Sequence, residues 1–171
     1  MSTTKDTKST KMEFDELSRR VIGCAIEVHR NLGPGLLEST YRQCLAYELS
    51  HAGLSFQMEV PLPVRYKDVL LDCGYRIDLI VSADLIVEVK SVETLLPIHQ
   101  AQILTYMRLA KIPIGLVINF NVTKLQNGIK RFVLLSASCS SCPSWWNYFV
   151  TEPRGRTTFP KTSFSTCARP A

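Results

Sequence analysis

Asp78, and Glu88 with Lys90 two residues beyond it, are the side chains of this 171-residue chain whose types and spacing suit hydrolytic chemistry. Side chains alternate along a strand, so Glu88 and Lys90 face one way while Leu85, Val87 and Val89 face the other. An ionised pair on an otherwise apolar strand is costly to bury, and its presence needs a reason. Folding residues 69–81 back on 85–90 through Ser82-Ala83-Asp84 pairs Val81 with Leu85, Ile80 with Ile86, Leu79 with Val87 and Asp78 with Glu88. Two carboxylates then share a face with Cβ atoms roughly 5 Å apart. A two-residue loop would instead set Asp78 opposite Val89 and separate the acids. Adjacent carboxylates repel unless a cation or a proton lies between them. A hard divalent ion, Mg²⁺ with Mn²⁺ as a substitute, suits such oxygens and leaves room for water and phosphate. The ion would acidify a bound water and stabilise charge on a phosphate. Lys90 would orient that water or neutralise developing charge. The competing reading is a solvated sheet face with a Glu–Lys pair, and spacing alone leaves both open.

Further residues add weight. On a helix expected over 97–111, His99, Gln102 and Tyr106 fall within about 60° of one another at 100° per residue, while Ile103, Met107 and Ala110 lie elsewhere. That polar, uncharged face suits contact with a phosphate or base. His99 taken alone reads better as a structural or helix-start histidine than as a metal ligand. Glu38, placed one turn into a second helix with Tyr41 three residues on, is either a dipole-favoured acid or a further metal ligand. Glu93 reads as a solvated loop acid, His29 is unassigned, and Arg76 falls opposite Lys90 in the same register.

The elements that must position these residues follow from periodicity. Residues 13–32 carry Phe14, Leu17, Val21, Ala25 and Val28 at helical spacing, and Gly33-Pro34-Gly35 breaks the pattern. A second helix is expected over 35–51, with Leu37, Tyr41, Cys44, Leu45 and Leu49 as its apolar stripe. Every second residue of 55–66 is apolar, and Pro61 and Pro63 imply an edge strand. Strands over 69–81 and 85–90 follow, then the helix opened by Pro97. The largely apolar strand at 113–120 reads as buried on both faces. Asn127-Gly128 signals a hairpin into a last strand at 129–135. The order helix, helix, three strands, helix, two strands gives an α/β sandwich with a mixed sheet flanked by helices.

Composition bounds the alternatives. At 46% hydrophobic and 20% charged, the chain is one ordinary globular domain. No apolar run is long enough for a membrane span, and no secretion signal is seen, so a cytoplasmic location is expected. The net charge of +5 sits on the tails. Residues 1–11 carry +2 and 137–171 carry +3, which leaves 13 basic against 13 acidic side chains over 12–136. A polyanion partner is allowed but not established by bulk charge. The six cysteines read as free thiols, and Cys139-Ser140-Ser141-Cys142 lacks the second half of a zinc site. Three segments result: an arm without order at 1–12, a domain at 13–135, and a low-order tail at 136–171. Trp145, Trp146, Tyr148 and Phe149 of that tail are candidates to dock on the domain.

The run Gly35-Leu36-Leu37-Glu38-Ser39-Thr40-Tyr41 matches the signature that names the GxxExxY proteins. The resemblance continues through LDCGYRIDLIV, LIVEVKSVETLLPIHQAQILTY and LVINFNVTKLQNGIKRFV, over about residues 14–134. That family is placed in the PD-(D/E)XK nuclease-like superfamily, which implies a restriction-endonuclease-like core. By resemblance, Asp78 and Glu88 are ligands of Mg²⁺, Lys90 is the catalytic lysine, and Glu38 is the helix acid near the metal. Gln102-Ile103-Leu104-Thr105-Tyr106 resembles the QxxxY motif of RecB-type nucleases, which positions substrate. Ile77 stands where many members have proline before the acid, and 136–171 matches nothing known. The implied partner is nucleic acid, DNA ahead of RNA, with no membrane and an oligomeric state left open. The rival from another class is a binding module that keeps the nuclease fold without turnover. A weaker third reading is a regulatory or toxin-associated protein that uses its cysteine-containing tail.

Overall fold

The computed structural model describes residues 6–72, 74–134, 148–151 and 157–158. Two helices come first, α1 (Asp6–Leu32) and α2 (Glu38–His51). Strands β1 (Phe56–Pro61), β2 (Val64–Tyr66), β3 (Val69–Leu71), β4 (Arg76–Val81) and β5 (Leu85–Lys90) follow. Helix α3 (Pro97–Ala110) then crosses to β6 (Ile114–Asn119), and β7 (Ile129–Leu134), β8 (Tyr148–Thr151) and β9 (Thr157–Thr158) complete the chain. The main sheet runs β1-β4-β5-β6-β7-β8-β9. Its β5–β6 pair is parallel and the others are antiparallel, so the sheet is mixed.

Two apolar layers sandwich the sheet. Val21, Ala25 and Val28 of α1 and Tyr41, Leu45 and Leu49 of α2 pack on Leu79, Val81, Val87, Leu116 and Ile118. On the opposite face, Ile103 and Met107 of α3 pack on Ile86, Val117 and Phe132. β6 is buried at all six positions, as its unbroken apolar run requires, because helices cover both its faces.

Several elements depart from the sequence expectation for identifiable reasons. The helix expected from residue 13 begins at Asp6 and runs through much of the expected arm. The strand expected over 55–66 divides into β1 and β2, since Pro61 and Pro63 remove the ladder donors that would continue it. The strand expected over 69–81 divides likewise, with Gly74 at φ 69° between β3 and β4. β2 and β3 form their own two-stranded ribbon. β1 does take the expected edge position.

Asn127-Gly128 does not make a two-residue hairpin. Leu125–Asn127 form a 3-10 turn, and Gly128 has φ −93°. Glycine is needed there for space, because a Cβ would stand 2.2 Å from the carbonyl oxygen of Asn119. Within the span expected as a low-order tail, β8 pairs with β7 and β9 with β8. Trp145, Trp146 and the Cys139–Cys142 pair lie outside the described residues, as do Cys73 and Cys167. Cys24 and Cys44 are free thiols, as expected.

Candidate active site

The β4–β5 turn is the three-residue loop the spacing predicts. Val81 pairs with Leu85, Ile80 with Ile86 and Leu79 with Val87. Ser82 and Ala83 supply the tight turn with φ of 51° and 61°, without a glycine. The ladder then stops one step short of Asp78 and Glu88. β4 also changes the face it presents at this point. Leu79 and Val81 pack toward α1 and α2, whereas Ile77, two residues earlier, packs toward α3 with Ile80. Strict alternation would put Ile77 with Leu79. Alternation in β1 breaks beside it, with Phe56 on the α1–α2 side, Val60 on the α3 side, and Glu59 between them at φ 50°.

The break at Asp78 corrects the simple picture of two acids paired across a ladder. With β4 peeled from β5, the Asp78 carboxylate enters the gap and Oδ2 accepts the Val89 amide at 2.9 Å. Oδ1 accepts Nη1 of Arg42 from α2 at 2.7 Å. Arg76, expected opposite Lys90, is exposed and pairs with Pro61 of β1, and the β4–β5 ladder ends at Leu79 and Val87 before reaching it.

Glu88 is the buried acid of the site, 3% exposed. Lys90 Nζ donates to its Oε1 at 2.8 Å, which fulfils the same-face expectation for this pair. Its Oε2 is buried without a partner among the described residues. Burial, then the Asp78 charge, push the Glu88 carboxyl up to about 7 against the pull of Lys90, with Glu38 adding in the same direction. The Lys90 amine is raised: burial opposes this, but the bond to Glu88 and the charges of Glu88, Glu38 and Asp78 outweigh it. Lys90 therefore stays an ammonium, and Glu88 is the group poised to exchange a proton.

Glu38 is the first residue of α2 rather than one turn in, with Leu37 at the cap. Its Oε1 accepts the Ser91 amide at 3.0 Å, and Ser91 Oγ donates to the Leu36 carbonyl at 2.6 Å. The loop before α2 is thereby tied to the chain leaving β5. Tyr41 holds the same loop from inside: its hydroxyl donates to the Gly33 carbonyl at 2.6 Å and accepts the Leu36 amide at 3.1 Å. Its ring stacks on Phe120 with centroids 4.4 Å apart. Gly35 at φ 102° supplies backbone that other residues rarely adopt.

From the α3 side, Gln102 Nε2 donates to the Tyr106 hydroxyl at 2.8 Å. Burial, followed by the Glu88 and Asp78 charges, raises the Tyr106 phenol against the Gln102 bond and Lys90. Tyr106 therefore lies within electrostatic reach of the acids. His99 turns the other way, its Nδ1 accepting the Leu96 amide at 3.2 Å at the start of its own helix. His29 contacts the Val122 carbonyl at 2.7 Å, away from the site. Glu93 is exposed.

Two residues were not legible as site residues. Arg42 spans the Asp78 and Glu59 carboxylates, at 2.7 and 2.8 Å. Asn119, 2% exposed, is paired across the β5–β6 ladder with Lys90. Its Oδ1 accepts the Val92 and Asn121 amides at 3.0 and 3.2 Å, and its Nδ2 donates to the Val92 carbonyl at 2.7 Å. A lone arginine after a GxxExxY run, or a lone Asn ending an apolar strand, carries no spacing signal of its own.

Among the described residues no three His, Cys, Asp or Glu side chains are gathered as a ready metal cage. Asp78 and Glu38 point their oxygens at amides and at Arg42. The donor chemistry nonetheless fits a hard ion, because the Asp78 and Glu38 charges reach Glu88, whose Oε2 is buried and unbonded among the described residues.

A family model described as the PD-(D/E)XK nuclease superfamily matches residues 15–132. The chain belongs to that superfamily, and its mixed sheet between helices is a restriction-endonuclease-like α/β core. No curated protein and no solved structure shows a match. Nucleases of this superfamily generally use divalent metals. Among the described residues no helix is long and apolar enough to cross a membrane.

Proposed function

We propose that the protein is a Mg²⁺-dependent nuclease of the GxxExxY group, with Mn²⁺ able to substitute, that hydrolyses phosphodiester bonds, DNA ahead of RNA, in the cytoplasm. The observation that carries this reading is Glu88: a buried acid with one oxygen on Lys90, one oxygen unbonded, and a carboxyl raised by burial first and then by Asp78 and Glu38. A purely structural Glu–Lys pair has no use for further acids beside it. Asp78 and Glu88 would hold the ion, with Glu38 completing the set. When bound, the ion supplies Lewis acidity for a water and for a phosphate oxygen.

The remaining work falls to the chain's own side chains. Lys90, kept protonated by its surroundings, places a positive charge where the attacked phosphate gains negative charge. Glu88 carries its proton near neutral pH only in the ion-free protein, as a group raised to about 7 does, and would hold the ion as the carboxylate. The Gln102–Tyr106 pair offers a polar edge on α3 to position substrate, with the Tyr106 phenol kept neutral. His99 serves this indirectly, by fixing the start of α3.

The test is cleavage of single-stranded, double-stranded and branched DNA, and of RNA, by the purified chain with Mg²⁺ or Mn²⁺. Loss of cleavage in Lys90→Ala and Asp78→Asn, both folded, is the expected outcome. Equal cleavage by wild type and variants would assign the activity to a contaminant. One observation favours a second reading, a nucleic-acid- or protein-binding module: both Asp78 oxygens are already engaged. A divalent titration with DNA present decides, since a pure binder takes up no ion.

A further inference from the structure

We infer that Arg42 is an internal cation that competes with the divalent ion for Asp78, with Glu59 as its second berth, and so sets the affinity of the site for metal. The inference rests on the nuclease reading of Asp78 as a ligand. Arg42 reaches the site from the second turn of α2 with its side chain 18% exposed, and its Nε is buried without a partner among the described residues. Its two terminal nitrogens are divided between two acids, Nη1 on Asp78 Oδ1 and Nη2 on Glu59 Oε1.

The placement of Glu59 explains the division. Met58 pairs with Leu79 and Val60 with Ile77, which sets Glu59 across from Asp78. Two like charges in that relation are unfavourable without a cation between them. Glu59 takes a left-handed φ of 50° there, a strained conformation for a residue of this type. Its side chain is 52% exposed, whereas that of Asp78 is 16% exposed. The arginine is therefore shared between an inner carboxylate, which the ion needs, and an outer one, which the ion does not.

An ion entering on Asp78 must break the charge-assisted bond to Nη1 and accept a positive charge nearby. Glu59 lowers that cost, because it retains the guanidinium after Asp78 turns away. Arg42 is thus a positioning residue, acting on the ion through Asp78.

The test is calorimetric titration of Mn²⁺ into the full chain as wild type, Arg42→Gln, Glu59→Gln, the double variant and Asp78→Asn. Arg42→Gln is expected to tighten Mn²⁺ binding by about tenfold or more, the worth of one charge-assisted hydrogen bond. Glu59→Gln is expected to loosen it in the wild-type background and to have no such effect once Arg42 is removed. A merely structural Arg42 would not produce that coupling. If Arg42→Gln does not fold, Arg42→Lys takes its place, since a lysine cannot fork across both acids and gives the same sign at smaller size. Arg42→Gln or Arg42→Lys binding no more tightly than wild type, with Asp78→Asn abolishing binding, would overturn the inference and leave the nuclease reading standing. An absence of Mn²⁺ binding in every form would overturn both.

Discussion

Replacing Asn119 by aspartate changes one atom and tests how the chain beyond Lys90 is held. In the native arrangement the orientation of the amide is fixed by its neighbours: Oδ1 faces two backbone N–H groups and Nδ2 faces the Val92 carbonyl at 2.7 Å. Aspartate keeps the acceptor but turns the donor into a second oxygen, aimed at a carbonyl oxygen in a site only 2% exposed. One hydrogen bond is lost and two buried acceptors oppose each other, a cost of about 3 kcal/mol for the ionised form. A proton on that oxygen restores the donor. The folded-state pKa of Asp at this position must therefore rise, by about 2 units for a 3 kcal/mol penalty, from roughly 3.9 to near 6. A group raised in the fold contributes stability that is complete below its unfolded pKa and lost as pH climbs through the folded one. Urea unfolding of wild type and Asn119→Asp at pH 4.5 and pH 8 should show the difference between them growing by about 2 kcal/mol toward pH 8. Wild type at each pH removes the background titration of the other acids. A difference independent of pH, or below about 1 kcal/mol at pH 8, would refute the assigned clamp.

Three other outcomes follow from the same geometry. Glu88, raised from 4.5 to about 7 mainly by burial and then by Asp78, should make the metal-free protein lose stability as pH rises from about 4.5 through 7. Glu88→Gln should flatten that slope in urea titrations with chelator present, and an unchanged slope would contradict the assignment. Gly128→Ala places a Cβ 2.2 Å from the Asn119 backbone carbonyl oxygen and should cost more than about 2 kcal/mol of unfolding free energy in urea titrations; a neutral result would mean the 3-10 turn can shift. Tyr41→Phe keeps the stack on Phe120 but removes the hydroxyl that joins Gly33 to Leu36, and should cost about 1–2 kcal/mol with an unchanged denaturant slope. Wild-type stability in that variant would show the loop is held by Glu38 and Ser91 alone.

Alternation and helical periodicity placed α2, β4, β5, α3 and β6 well enough to bring Glu88 beside Lys90 and Gln102 beside Tyr106, because these are local relations within one element. The β4–β5 register was legible too, since loop length fixes which residues face each other. What alternation could not show is the point at which it fails. The exchange of faces at Asp78 depends on the Glu59 backbone across the sheet and on an arginine from α2, both remote in sequence. Gly128 illustrates a different ambiguity. A glycine after asparagine signals a positive φ, yet here it answers a backbone approach that only the tertiary structure creates. Glu38 opens α2 and does not stand a turn inside it, because the Gly33–Leu37 segment, tied by Tyr41, resists joining the helix.

The charges of the site make an argument of their own. Glu38, Glu59, Asp78 and Glu88 are four acids, and Arg42 and Lys90 are two cations bonded among them, so four less two leaves a formal charge of −2. Without an ion, burial and then the Asp78 charge raise Glu88, so a proton there relieves part of that deficit. Asp78 and Glu38 each accept a backbone amide, a donor no pH change removes. A divalent cation restores neutrality without that proton, and its uptake should therefore release a fraction of a proton at pH 7, falling toward zero at pH 9 where Glu88 is already ionised. Calorimetric titrations of Mn²⁺ in two buffers of different ionisation enthalpy measure the release directly. Proton release equal at both pH values would show that the ion binds without meeting Glu88, and the proposed ligand set would have to be abandoned.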